Sequence, residues 1–502
     1  MNGFYVTTAI PYVNGAPHLG HALELVQADV LARHRRQRGQ PVRFLTGTDE
    51  NALKNVAAAR ACGRDVAGFV ADNADRFAAL RGALSLSFDD FIRTSSDRHV
   101  RGVDRLWRRN AANGDFYRRH YTGLYCPGCE QFTTPADLVD GRCPEHRTPP
   151  QAVTEENWFF RLSRYAGVVE DAIRSGRVRV EPSTRRNEVL AFLRRGAADI
   201  SVSRPAARSH GWGIPVPNDP EQVIYVWWDA LANYITALDD PAAFQRWWAD
   251  SAERVHVIGK GILRFHAVHW LALLASVGLP LPTTVFVHEY LTVNGAKISK
   301  SSGATVDPVD LTRRFGTNAL RWWLAREASG STDTDFTATR LVQRANRELA
   351  NGLGNLVNRT VSLAHRYPLA TLPAVDHNSV PAFTAAAALP DRIDDALARF
   401  DFRAATDAIW QVVLAGNRTL EHERPWELGR RPNDPVIRAR LNTVLAALVH
   451  TCRILAEQCT PFIPDGAARL LRQLGTGTQL GPVGLPFARL DTSTPNLITN
   501  AS

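Results

Sequence analysis

The stretch FYVTTAIPYVNGAPHLGHALELVQADVLARHRR, residues 4–36, constrains the fold of this chain more than any other. It opens with a β-branched and aromatic run, passes through Asn, Gly and Pro, and then repeats apolar residues at helical spacing: Leu19, Leu23, Val26, Val30 and Leu31. Strand, turn, helix is the unit of a parallel α/β sheet, and the start of such a helix offers unpaired N–H groups and a dipole to phosphate. His18 and His21 are three residues apart in the first helical turn, so they share a face and can reach one ligand. Gly20 between them lets a bulky group lie against the backbone. An isolated HxxH reads equally as a metal site or as surface histidines, although no HExxH-type carboxylate accompanies this one.

A chain of 502 residues, 45% hydrophobic, has material for two to four domains with real cores. The formal net charge of +9, carried mostly by Arg, favours a polyanionic partner. The N-terminus enters a strand at once and no apolar run reaches membrane-spanning length, so a cytoplasmic protein without a membrane partner is expected. The only methionine is Met1.

Six cysteines are too few for a disulfide scaffold of this size. Four candidate ligands are nevertheless ordered: Cys126, Cys129, Cys143 and His146, as C-x2-C, thirteen residues, then C-x2-H. Each half is a tight turn aiming two soft ligands at one point. Cys3His is a closed tetrahedral zinc set, so a structural Zn2+ knuckle is expected and not a catalytic metal. Cys62, Cys452 and Cys459 read as packing residues.

Far downstream, VFVHEYLTVNGAKISKSSGATVDP places Lys297, Ile298, Ser299, Lys300 and Ser301 after a strand and an Asn-Gly turn. Two lysines, each with a serine beside or near it, suit a triphosphate whose leaving pyrophosphate gains charge. HLGH and KISKS together resemble the two signature sequences of class I aminoacyl-tRNA synthetases. The blocks between them resemble the methionyl-tRNA synthetases in particular: TGTDEN (46–51), FIRTSSDRH (91–99), the knuckle, ENWFFRLSRY (156–165), DISVSRP (199–205), WGIPVP (212–217), YVWWDALANYITAL (225–238) and ILRFHAVHW (262–270).

That resemblance implies a split Rossmann-like α/β nucleotide-binding catalytic domain with an inserted zinc-knuckle module, followed by an all-α anticodon-binding bundle. On this sequence the parts fall at 1–113 and 211–290 for the catalytic halves, 114–210 for the insert, 291–340 for a KISKS-containing linking domain, 341–490 for the bundle and 491–502 for a disordered tail. The insert has no room for the large editing domain of relatives that handle isoleucine, valine or leucine.

The implied activity is ATP- and Mg2+-dependent conversion of methionine to methionyl adenylate, followed by transfer to the 3′-terminal adenosine of initiator and elongator methionine tRNA. His18, Gly20, His21, His288, Lys297, Ile298 and Lys300 match ATP-binding positions, with the two histidines and two lysines as the catalytic group. Asp49 matches the carboxylate that holds the substrate ammonium. Ile10, Tyr12, Trp227, Ala230, Leu231, Tyr234, Ile262 and His266 match the walls of the side-chain pocket, and Arg204 braces it. Aromatic and aliphatic walls suit a polarizable thioether. Asn355, Arg359 and Trp426 match anticodon-contacting positions, where stacking and edge hydrogen bonds read unpaired bases. The family's C-terminal dimerisation module is not evident, so a monomer is expected.

The chain also departs from the family pattern. Gly261 stands where an Asp usually meets ribose hydroxyls, His288-Glu289 replaces the usual His-Gly, Trp270-Leu271 replaces Trp-Pro, and Ile298 replaces Met. The first of these leaves open a paralogue that activates methionine or an analogue for another acceptor, or a drug-tolerant duplicate enzyme.

Overall fold

Apolar strands alternating with amphipathic helices bury a parallel sheet on both faces, and that pattern organises the first part of the chain. The computed structural model describes residues 3–144, 146–298, 306–328, 332–369, 376 and 380–491. The chain forms two compact units: Met1–Pro17, Arg35–Arg81 and Ser87–His288 make the first, and His18–His34, Gly82–Leu86 and Glu289–Ser502 the second.

The first unit is built on six parallel strands, β1 (Phe4–Thr8), β2 (Val42–Thr48), β3 (Asp90–Arg93), β4 (Arg179–Glu181), β5 (Glu253–Gly259) and β6 (Thr284–His288), in the order β3-β2-β1-β5-β6-β4. All five residues of β1 are buried, as are all five of β6. Val6 sits between Phe44 of β2 and Val255 of β5. Gly47 is required where β2 meets β3, because a Cβ there would overlap the Ile92 carbonyl. The order reverses beside β1, so ligands are expected in the crevice past the carboxyl ends of β1, β2 and β5. Ile10, Tyr12, Asp49 and Ile262 all lie just beyond those ends. Strand β4 comes from within the stretch read as the insert and pairs with β6 in parallel.

The knuckle module is an antiparallel pair, Phe116–Cys126 against Gln151–Phe160, extended on one side by Gln131–Thr133. A small sheet of Ser203–Pro205, Pro215–Val216 and Asp219–Ile224 carries Arg204 opposite Val223. Helix α2 (Asp97–Ala112) packs on α3 (Val226–Thr236), the helix of the WWDALANYIT block.

The second unit begins with α1 (Leu19–Gln37), the helix of HLGH, whose residues as far as His34 belong here. A short sheet of Leu291–Val293, Ala296–Lys297 and Thr334–Asp335 precedes a helical bundle that includes α4 (Thr317–Glu327) and α5 (Asn355–Arg366). The stripe Leu349, Leu353, Leu356, Val357 and Val361 is buried, and its first part, Ala345–Gly354, winds as a π-helix. Arg321 of α4 is fully buried. Its guanidinium meets Asp29 of α1 at 2.7 Å and donates to the carbonyls of Leu84, Pro461 and Phe462.

One reading is corrected. Cys62 is exposed, because the helix Leu53–Ala61 ends just before it; Cys452 and Cys459 are buried as expected. Trp426 is half-buried. Lys300 and the tail 492–502 lie outside the described residues, as does the side chain of Lys297.

Candidate active site

The site in the first unit is assembled around buried carboxylates. The backbone of Asp49 continues β2 and bridges to Tyr12, with its N–H donating to the Pro11 carbonyl at 2.9 Å. Its side chain is buried, and Oδ1 accepts from the Asn51 N–H at 3.2 Å. The Asn51 amide in turn donates to Oδ2 of Asp229 on α3 at 3.1 Å. Burial, reinforced by the Asp229 and Glu130 carboxylates, pushes Asp49 well above the usual carboxylate range; burial does the same to Asp229. Arg204 is buried 3.7 Å from Glu130 and lies over the Tyr225 ring. The neighbouring Glu50 is separately satisfied: it accepts from Thr48 at 2.9 Å, from Arg93 at 2.7 Å and from Ser95, which ties TGTDEN to FIRTSS.

Above this floor stands an aromatic wall. Trp227 stacks on Phe265 at 3.9 Å between ring centroids, and Tyr12 tilts against Trp227 at 5.8 Å. The Tyr234 hydroxyl and Nε2 of His266 are 2.6 Å apart, while Nδ1 of His266 faces the Ile262 carbonyl at 2.9 Å. A carbonyl only accepts, so the proton is on Nδ1 and Nε2 accepts from Tyr234. Burial lowers His266 to about 4, which keeps the ring neutral. Ile10, Trp227 and Ile262 pack partly buried on the same core that contains Leu231 and Tyr234. Ala230 is buried on α3. Each of the expected pocket residues therefore lies in the first unit; Leu231 is a core residue there.

Sequence reasoning missed Asn51, Glu130 and Asp229. The signal available was weak: an Asp inside the apolar run VWWDALANY, and an acid directly after Cys129.

The histidines expected to meet phosphate are held by their own backbone. His18 precedes α1, and its Nδ1 accepts from the Gly20 N–H at 3.2 Å, while the His18 N–H donates to Nδ1 of His21 at 3.0 Å. The rings stack at 3.7 Å. With both Nδ1 atoms accepting, the ring proton is on Nε2, the far end. A Cβ on Gly20 would stand 3.0 Å from the His18 ring, a tight contact that the ring would have to shift to relieve. Ile298 is buried, and Leu19 N–H donates to the Val306 carbonyl at 2.9 Å on the far side of the KISKS stretch. His288 ends β6, buried, in register with Gly259.

Cys126, Cys129, Cys143 and His146 converge: Cys129 Sγ lies 3.5 Å from Cys143 Sγ and 3.3 Å from His146 Nδ1, and the other two thiols are 4.0 and 3.9 Å from that nitrogen. Tetrahedral zinc with these donors needs separations of about 3.4–3.8 Å. Gly128 is compulsory in this turn, because a Cβ there would collide with the His146 ring. Burial and the adjacent Cys126 and Cys143 thiols push the Cys129 thiol up, a cost that a divalent cation would reverse. The cluster is joined to the pocket: Trp227 Nε1 donates to the Cys129 carbonyl at 3.2 Å and the Tyr225 hydroxyl to that of Glu130.

In the second unit, Asn355 and Arg359 lie on α5, Asn355 exposed, and the Arg359 guanidinium stands 5.5 Å over the ring of Trp426. These three residues form an accessible basic and aromatic surface. No helix among the described residues is long and apolar enough to cross a membrane.

The chain matches the family model for tRNA synthetases class I (M) over residues 4–153 and 134–361. It is 40% identical to the methionine–tRNA ligase of Brucella suis over 482 residues, covering 93% of this chain and 91% of that one. With the Mycobacterium bovis methionine–tRNA ligase it shares 39% over 490 residues, covering 95% and 92%. A crystal structure of Mycobacterium tuberculosis methionyl-tRNA synthetase bound by methionyl-adenylate superposes with a TM-score of 0.90 at 36% identity, covering 97% of this chain and 100% of that one. The chain belongs to the methionine–tRNA ligase family of class I aminoacyl-tRNA synthetases.

Proposed function

We propose that the chain activates methionine with ATP to methionyl adenylate and passes the acyl group to methionine tRNA, in the cytoplasm and as a monomer. The observation that carries this reading is the pocket of the first unit, where buried Asp49 stands beside an aromatic wall closed by a neutral His266. A carboxylate suits an ammonium, and a polarizable aromatic wall suits a thioether. Kinship with methionine–tRNA ligases supports the same substrates.

The attacking carboxylate of the amino acid is ionised, so the reaction needs positioning and charge neutralisation and no general base. In this reading Asp49 holds the ammonium. Ile10, Tyr12, Trp227, Ala230, Leu231, Tyr234, Ile262 and His266 surround the side chain, and Arg204 braces the acid floor. His18 and His21 donate Nε2–H to phosphates, with Gly20, His288 and Ile298 shaping the nucleotide site. Lys297 and Lys300 neutralise the leaving pyrophosphate, with Mg2+ accompanying ATP. Cys126, Cys129, Cys143 and His146 hold a structural zinc, which supplies a rigid turn behind Trp227. Asn355, Arg359 and Trp426 stack on and hydrogen-bond anticodon bases of initiator and elongator tRNA.

The test is pyrophosphate exchange with each amino acid in turn, then charging of both methionine tRNAs. Methionine-dependent exchange followed by charging is expected, and His21→Ala should abolish the exchange. Exchange without charging would shift the reading to a paralogue with another acceptor, for which the exposed Gly261 is the motivating departure. Absence of exchange with any amino acid would overturn the assignment.

A further inference from the structure

Charge is not balanced in the floor of the amino-acid site. Three carboxylates, Asp49, Glu130 and Asp229, are buried with one guanidinium, Arg204, which faces Glu130 at 3.7 Å. Glu130 also accepts from the Lys54 N–H at 2.8 Å. Asp49 and Asp229, the latter also within reach of the Arg204 charge, are joined by a single residue: Asn51 gives its backbone N–H to one and its side-chain amide to the other. The other oxygen of Asp229, Oδ1, is buried with no hydrogen-bond partner among the described residues, as are Oε2 of Glu130 and one guanidinium nitrogen of Arg204. An unpartnered carboxylate oxygen in a fully buried residue is costly unless it is protonated or meets a cation.

We propose that Asp229 is a positioning residue of the amino-acid site: in the empty protein Asp49 and Asp229, linked through Asn51, retain one proton between them, and this proton passes to solvent when the substrate ammonium docks on Asp49. The inference rests on the assignment of Asp49 to the ammonium.

The surroundings support one retained proton. Glu50 is neutralised by Arg93 at 2.7 Å. Behind α3, His99 of α2 is lowered to about 3 by burial and is neutral. Tyr12, Tyr125 and Tyr225 are all raised by burial and stay protonated. Lys54 Nζ lies 5.4 Å over the Tyr12 ring. Burial raises both aspartates. An arriving ammonium stabilises the charged carboxylate and removes the reason for the proton.

The experiment is calorimetric titration of the intact protein with methionine near neutral pH, in two buffers of different ionisation enthalpy. The ammonium of methionine is already protonated there, so any released proton comes from the protein. The expected result is a release approaching one proton per methionine bound. The 2-hydroxy analogue, which lacks the ammonium, should release none. Asp229→Asn removes one of the like charges that raise Asp49, so methionine binding should continue with its proton release reduced. Methionine binding without proton release in the wild-type protein would overturn the inference while leaving the ammonium assignment standing, and so would an Asp229→Asn variant that releases as many protons as wild type. Absence of methionine binding, together with absence of exchange, would bring down the assignment itself and the inference with it. A variant that fails to fold leaves the decision to the wild-type comparison of methionine with its hydroxy analogue.

Discussion

The Tyr234 hydroxyl donates to Nε2 of His266 at 2.6 Å, and that bond fixes which face of the imidazole carries no proton. Replacing Tyr234 by Phe keeps the ring but leaves Nε2 buried without a donor, at a cost of about 1–3 kcal/mol. The expected outcome is a KM for methionine raised about tenfold or more, with kcat changed less, read from the methionine dependence of pyrophosphate exchange.

Buried histidines set the acid stability of the first unit. Burial lowers His99 to about 3 and His266 and His269 to about 4, and it lowers His256 well below its ordinary 6.5. Below pH 6.5 the unfolded chain takes up protons that these folded groups refuse, so stability falls as pH drops from 6.5 toward 4. The raised aspartates Asp49 and Asp229 act with the opposite sign. His99→Gln should lower stability overall and flatten the slope by up to ~1.4 kcal/mol per pH unit. Urea midpoints measured at a series of pH values check both.

The knuckle should carry one zinc per chain by elemental analysis, and Cys143→Ser should lose it. Because the Cys129 carbonyl receives the Trp227 indole N–H, metal loss should loosen the pocket as well as lower the melting temperature. The expected signature is a raised KM for methionine in the chelated protein, restored by adding zinc back.

Arg359 standing over Trp426 should separate the two half-reactions. Trp426→Ala removes a stacking platform worth about 1–3 kcal/mol per base. Charging efficiency with methionine tRNA should fall by one to two orders of magnitude, while pyrophosphate exchange stays at the wild-type rate.

Gly261 lies exposed in the single 3-10 turn Lys260–Ile262 that follows β5. Gly261→Asp supplies the carboxylate that the family pattern has at this position. The KM for ATP in pyrophosphate exchange should fall about three- to tenfold, as one added hydrogen bond allows. An unchanged KM would show that this chain does not use the position.

The parallel sheet was legible because its signal is local, whereas the proposed pocket wall came from the family resemblance. β1 and the start of α1 follow from one uninterrupted pattern, and the rings of Tyr12, Trp227 and Tyr234 sit in contiguous motifs. The knuckle was legible from spacing alone, since two paired turns converge in few ways. Other features depend on convergence across long separations. Strand β4 is three residues long and contains Arg and Glu, so nothing in its pattern marks a sheet edge. Asn51 is ordinary on paper and matters only because the fold brings Asp229, 178 residues away, to its amide. Cys62 misled because small sulfur side chains are usually buried, whereas here the preceding helix turns it outward.

The fully buried Arg321 has a consequence for how the second unit can come apart. Its guanidinium meets Asp29 of α1 and donates to the carbonyls of Leu84, Pro461 and Phe462, so three stretches distant in sequence share one cation. Asp29 also holds Arg33 of its own helix at 2.8 Å, but the three carbonyls depend on Arg321 for these bonds. A buried carbonyl stripped of its donor is costly, so detaching any one stretch leaves a buried guanidinium short of a partner and loosens its hold on the others. The parts of the second unit that meet at Arg321 are therefore expected to open together.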